Sequence, residues 1–260
     1  MSNSSPLAQV SLARDLTLRD LSSAVAAGWR DFAAYPLFGL FFAAFYVAGG
    51  LTLLYGLSRV GQGWWLIPLM AGFPLLAPFS AVGLFEVSRR REAGEPMRWG
   101  AVLGALKGRG DEQLLMMGGI IFVAFSFWMI LAHGIFAIFL GDSGIGSETG
   151  ALLLSADALL MLGVGGVVGG LFALALFAIT VVSLPVLVDR DVDFITAIII
   201  SLGVFGGNKP IMIAWAVLIA ITLVLAMIPL FAGLFVVLPV LGHATWHLHR
   251  RAVGAAATPA

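Results

Sequence analysis

The stretch PIMIAWAVLIAITLVLAMIPLFAGLFVVLPVLGHATWHLHRR, from Pro210 to Arg251, decides the fold. It carries no Asp, Glu, Lys or Arg before Arg250, so up to that point it has none of the side chains that resist entering hydrocarbon. As one helix its roughly 40 residues, at 1.5 Å each, would reach about 60 Å, twice the thickness of a bilayer's hydrocarbon layer. The stretch is therefore expected to fold back on itself. Met227-Ile228-Pro229 is the expected break, because proline cannot donate to the helical ladder and disfavours helix at the residue before it.

Working outward, four more apolar stretches precede it: Pro36 to about Leu57, Trp64 to about Val87, Leu114 to Leu140, and Ala158 to Val188. The first two are joined by Ser58 to Gly63 and read as a transmembrane hairpin. The next two flank the acidic, Gly/Ser-rich segment Gly141 to Asp157 and make a second hairpin; the broken last stretch makes a third. Charge supports this count of six. Arg14, Arg19, Arg30, Arg89, Arg90, Arg91, Arg98, Lys107, Arg109, Arg190, Lys209, Arg250 and Arg251 then share one side, with Arg59 alone opposite. By the positive-inside rule that side is cytoplasmic and holds both termini, while Asp142, Glu148 and Asp157 lie outside. Five spans would strand Arg250 and Arg251 on the wrong face.

Composition agrees. Sixty per cent of the residues are hydrophobic, 11% are charged, and the mean hydropathy is +1.04; soluble domains carry about 25% charged residues. Net charge is zero and no basic run extends beyond Arg89-Arg90-Arg91, which sets nucleic acid aside. The absence of cysteine excludes disulfides, thiolate metal sites and Cys nucleophiles. Charged residues interrupt Met1 to Asp31, so the first span is expected to serve as insertion signal in place of a cleaved leader.

Sliding the chain on itself exposes a repeat. Pro68-Leu69-x-Ala71-Gly72-x5-Pro78-x10-Arg89-Arg90 recurs as Pro229-Leu230-x-Ala232-Gly233-x5-Pro239-x10-Arg250-Arg251. Each hairpin is also preceded by a short segment with an apolar stripe at helical spacing: Leu18, Leu21, Val25, Trp29 and Phe32; Trp99, Val102, Leu103 and Leu106; Phe194, Ile198, Leu202 and Phe205. Thr17 and Asp193 are suitable N-caps for the first and third, with Pro36 and Lys209-Pro210 at their ends. The expected fold is all-α and polytopic, one integral membrane domain over residues 1–260. It is built as units 17–91, 96–190 and 193–251, each an interfacial helix plus a hairpin, with flexible tails at 1–16 and 252–260. Units with an even number of spans all enter from one side, which disfavours an inverted-repeat transporter.

Few residues suggest chemistry. His243 and His247, four apart, share a helix face, so a metal or haem site is one reading; anchoring at the headgroups beside Trp246 and Arg250 is the favoured one. His133, in the third stretch, is expected to be buried with a hydrogen-bond partner. Glu86 is the one acid within the apolar stretches. It aligns in the repeat with His247, inviting a contact between them, but local pairing with Arg89 and Arg90 is favoured. Asp189-Arg190-Asp191-Val192-Asp193 resembles a calcium loop only superficially, since Phe194 stands where glycine is required and Ile200 where glutamate is. Gly165 with Gly169 and Gly166 with Gly170 form two GxxxG pairs that admit close helix packing.

Together, Gly28-Trp29-x-Asp31, Ala71-Gly72-Phe73 with Pro78, Glu86-x-Ser88-Arg89-Arg90, Pro185 with Asp189-Arg190-Asp191-x-Asp193-x3-Ala197, and Pro239-x2-Gly242-His243-Ala244-Thr245-Trp246-His247 resemble the predicted integral membrane proteins of domain of unknown function twenty-one eighty-nine. The resemblance implies a bacterial inner-membrane location and no particular activity. No span centre carries the Asp, Glu, Lys or Arg that ion-coupled transporters keep at membrane depth. The expectation is a non-enzymatic accessory subunit or assembly factor without cofactor or metal, in contact with lipid and with another integral membrane protein. The alternative is a transporter or channel for a neutral or lipid-like solute, lined near Pro74, Pro78 and Pro239.

Overall fold

A computed structural model describes residues 10–59, 77–105, 112–140 and 155–255. In chain order these form β1 (Val10–Leu12), α1 (Leu18–Ala34), α2 (Pro36–Arg59), α3 (Ala77–Glu92), α4 (Trp99–Gly104), α5 (Gln113–Leu140), α6 (Ala156–Thr180), α7 (Ser183–Asp189), α8 (Phe194–Gly207), α9 (Lys209–Met227), α10 (Leu234–Ala252) and β2 (Val253–Ala255). The protein is an all-α polytopic membrane protein. Helices over Pro36–Gly56, Gln113–Leu140, Ala156–Asp189 and Lys209–Met227 are long and apolar enough to cross a bilayer. The second expected span is described only from α3 onward. The sixth corresponds to α10, apolar from Leu234 to Gly242 and polar from His243 to Arg251. Pro68 to Gly72, Pro74, Leu106, Lys107, Arg109, Asp142 and Glu148 lie outside the described residues.

The last apolar stretch breaks where its proline stands. α9 ends at Met227, and Leu230 and Phe231 adopt left-handed backbone angles (φ 50° and 64°) that carry the chain round into α10. Such angles are costly for residues with a side chain. The turn is held because Phe231, 1% exposed, is driven into the core, where its ring packs against Gly50 of α2. Gly39 of α2 meets Pro239 at the other end of the contact, so α2 and α10 run antiparallel. Arg59, nine residues past Gly50, therefore ends α2 far from the arginines at the end of α10.

The fourth stretch is interrupted at Val181 and Val182, between α6 and α7. Pro185 cannot donate into the turn before it, and an unpaired backbone group in lipid costs several kcal/mol. Ser201 of α8 bridges the backbone at the break itself: its hydroxyl donates to the Ala178 carbonyl (2.7 Å) and accepts from the Val182 N–H (3.2 Å).

Side-chain caps set the starts of α1 and α8. Thr17 and Asp20 form a reciprocal capping box at the start of α1, and Asp193 accepts from the Thr196 N–H at the start of α8 (2.9 Å). Their buried faces are not the expected stripes. In α1 the buried residues are Leu21, Ala24, Gly28, Asp31 and Phe32, while Leu18 and Trp29 are exposed; in α8 they are Ala197, Ile200, Ser201 and Val204, with Leu202 exposed. Each buries one polar side chain that bonds to a neighbouring element, Asp31 of α1 to Ser88 and Ser201 of α8 to the Ala178 carbonyl, while part of its apolar stripe stays outside. In α4, Val102 is buried and Trp99 packs at a tilt on Phe38 with ring centroids 4.1 Å apart.

The tails are shorter than expected. β1 pairs antiparallel with β2, Val10 opposite Ala255 and Leu12 opposite Val253. Asn208 fixes the approach to this pair, accepting from the Leu16 N–H (3.0 Å) and donating to the Ala13 carbonyl (2.7 Å). Arg251 adds ion pairs to Asp15 and Asp20.

Candidate functional site

α10 is the element on which a buried polar cluster is assembled, and Gly28 brings the second wall to it. A Cβ at Gly28 would lie 2.5 Å from the Val240 carbonyl oxygen and 2.6 Å from the Ala244 nitrogen, so only glycine lets α1 lie this close to α10. One turn further on, the close approach delivers Asp31, 3% exposed, into the space between α1, α3 and α10.

Four side chains converge there. Ser88 of α3 donates its hydroxyl proton to Asp31 Oδ2 (2.5 Å), His247 Nε2 meets the same oxygen (2.8 Å), and Arg91 pairs with Asp31 Oδ1. His243 Nδ1 lies 2.8 Å from Ser88 Oγ. Since the serine proton goes to the carboxylate, which can only accept, His243 must carry its proton on Nδ1 and donate to Oγ. His243 Nε2 is then a bare acceptor, buried without a hydrogen-bond partner among the described residues.

The cluster continues toward the surface. His247 Nδ1 faces Glu92 Oε1 (3.3 Å), so both ring nitrogens look at carboxylates and both can donate only in the imidazolium form. Glu92 also meets Arg250 (3.3 Å); Arg250 reaches Asp189 (3.3 Å), which His249 and Arg190 approach as well. Burial pushes the Asp31 carboxyl up, but the hydrogen bonds from His247 and Ser88, the charge of His247 and the hydrogen bond from Arg91 outweigh it and hold the group at about 2. Glu92 follows the same balance: desolvation raises it, and the His247 bond and charge bring it below the usual carboxylate range.

The order of the chain Asp31–Ser88–His243 matters chemically. A hydrolytic triad runs acid to histidine to serine, so that the histidine takes the serine proton. Here serine sits in the middle and spends its proton on the acid. Ser88 and His243 are both 0% exposed, so a substrate has no path to either. Metal ligation by His247 meets the same obstacle, because both of its nitrogens are occupied. Among the described residues no group of three or more His, Asp or Glu is arranged to hold a metal ion.

The other singled-out residues lie elsewhere. Glu86 is bidentate with Arg89 (2.7 Å to Nε and to Nη2) and 3.5 Å from Arg90, so His247 meets Asp31 and Glu92 instead of Glu86. His133 is exposed on α5, against the expectation of burial, with its ring stacked near Phe136. Gly169 faces Trp128 of α5, where a Cβ would come within 2.6 Å of the indole, and Gly165 lies near Ile135; Gly166 and Gly170 have nothing within 4 Å. One GxxxG pair thus packs α6 on α5 and the other is open. Sequence reasoning missed Asp31 and Ser88 as members of a site. The signal was present in Asp31, a charged residue three positions after Gly28 and so on the same face of α1.

Residues 66–189 match the sequence model of the family described as predicted integral membrane protein (DUF2189), so the resemblance read from the sequence holds over that segment. The match takes in Ser88, Glu92 and Asp189 but leaves out Asp31, His243 and His247. No curated protein and no solved structure matches the chain.

Proposed function

We propose that this protein is a non-enzymatic component of the bacterial inner membrane, an accessory subunit or assembly factor that packs against another integral membrane protein. The observation that carries this reading is the closure of its polar cluster. Asp31, Ser88, Arg91, Glu92 and His247 bond to one another, and the inner members are sealed from solvent, so the cluster works as a rivet holding α1 to α3 and α10. The four long apolar helices hold no Asp, Glu, Lys or Arg away from their ends. Their Arg59, Asp157, Asp189 and Lys209 stand within the first or last turn. Ion-coupled transport keeps such groups at mid-membrane.

The pairing of β1 with β2 supports a topology with both termini on one side, and hence an even number of crossings. The gathering of Arg89, Arg90, Arg91, Arg190, Arg250 and Arg251 at that end supports its being the cytoplasmic side.

Purification from native membranes in a mild detergent, followed by identification of co-purifying chains, tests the proposal. A stoichiometric membrane partner is the expected result; a chain that purifies alone, from membranes in which it is expressed at its natural level, opposes it. The alternative of a carrier for a neutral or lipid-like solute predicts uptake by proteoliposomes of the purified chain alone.

A further inference from the structure

On the side of α10 away from the rivet, a cavity of about 400 Å³ opens between α6 and α9. Its floor is made by Phe85, Leu184 and Leu241, all at least 90% buried, and its mouth by Gly170, Val217 and Ala220, all exposed. We propose that this cavity holds one acyl chain of a membrane phospholipid as a resident part of the fold. The inference goes beyond the accessory role and stands whether or not a protein partner is found.

Three observations lead to that occupant. The first is the chemistry of the wall. Its two hydroxyls, on Thr180 and Thr245, donate to the Leu176 and Leu241 carbonyls of their own helices (2.8 Å each), which leaves no unsatisfied hydroxyl donor for a polar ligand. Water needs two to four polar partners to remain in such a space, so the cavity does not hydrate. The second is where the mouth faces. α6 and α9 are both long enough and apolar enough to span, so the medium at the mouth is lipid hydrocarbon, present at high concentration and already ordered along the helices. The third is the stature of the rim. Glycine at 170 and alanine at 220 leave a gap that bulkier residues would close, and an empty apolar space beside packed helices forfeits the dispersion contacts a chain supplies. A chain seated there touches Leu241 and Gly242 of α10, backing the helix whose opposite side carries His243 and His247.

The test uses the full chain, washed extensively in lipid-free detergent, with retained lipid extracted, identified and counted by mass spectrometry. The expected result is about one phospholipid per chain, as mass action requires for a site that survives dilution. Ala216→Phe fills the cavity and is expected to lower retention about tenfold, equivalent to ~1.4 kcal/mol of binding. Leu225→Phe, on the exposed face of α9 opposite the cavity-lining residues, leaves retention unchanged. Should Ala216→Phe not fold, Ala220→Cys gives a unique labelling site in a chain without cysteine. A nitroxide there is expected to be broadened by one equivalent of a phospholipid spin-labelled on its acyl chain. Absence of retained phospholipid, retention of a different apolar molecule, equal retention in Ala216→Phe and Leu225→Phe, no broadening, or crosslinking of Ala220→Cys to a partner polypeptide through the mouth would each overturn the proposal.

Discussion

Asp31 and His247 stand 216 residues apart in the chain, and Oδ2 of one lies 2.8 Å from Nε2 of the other. The pair closes the fold from its first helix to its last. Removing one partner of a buried, hydrogen-bonded ion pair leaves the other charge stranded, at about 3–5 kcal/mol. Asp31→Asn strands both Arg91 and His247 and is expected to destabilise at the upper end of that range, measured as unfolding free energy in detergent.

Acid should weaken the same rivet. Asp31 is held at about 2 against 3.8 for an unperturbed aspartate. A carboxylate with a depressed folded-state value stabilises the fold above the unfolded value and loses that contribution as pH falls through the folded one. At about 1.4 kcal/mol per unit, the contribution is roughly 2–3 kcal/mol. It is complete above pH 5 and gone near pH 2. Unfolding free energy measured across that interval should fall less in Asp31→Asn than in the natural chain; an identical decline in both would remove Asp31 from the explanation.

Glycines on the two faces of α6 should answer differently to the same change. Gly169→Ala drives a methyl toward the Trp128 indole and is expected to cost about 1–3 kcal/mol, as overpacking does. Gly166→Ala meets open space and is expected to be neutral or stabilising by up to about 1 kcal/mol, the helix-propensity gain of alanine over glycine. Gly28→Ala, aimed at the backbone of Val240 and Ala244, has no side chain that can yield and should be the most damaging of the three.

The paired termini can be locked chemically. Ser11 and Gly254 are directly opposite in the β1–β2 ladder, and the Ser11 oxygen lies 2.8 Å from where a Cβ of residue 254 would stand. Ser11→Cys with Gly254→Cys, in a chain free of other cysteines, should form an intramolecular disulfide on mild oxidation and run faster on non-reducing gels. Termini on opposite sides of the membrane would give no such band.

Local signals were legible in the sequence. Thr17 and Asp193 announce helix starts through their own side chains, and the Met227-Ile228-Pro229 break follows from what proline lacks. Long apolar stretches and a one-sided set of arginines convey a polytopic protein. What could not be read was which face of a helix turns inward. The apolar stripe of α1 predicts Leu18, Leu21, Val25, Trp29 and Phe32 at the core, but only Leu21 and Phe32 are fully buried, because the close approach at Gly28 turns Ala24, Gly28 and Asp31 toward α10 and leaves Leu18 and Trp29 outside. Long-range partners were equally hidden. Glu86 has its arginine three residues away and was readable; Asp31 has its partners 57, 60 and 216 residues away and was not.

A double-mutant cycle on Asp31→Asn and His247→Gln, followed by unfolding free energy in detergent, tests the rivet most directly. The account predicts that the two substitutions are strongly non-additive, with a coupling of about 1.5 kcal/mol or more, within the range found for close buried pairs. Additive losses, with a coupling indistinguishable from zero, would contradict it.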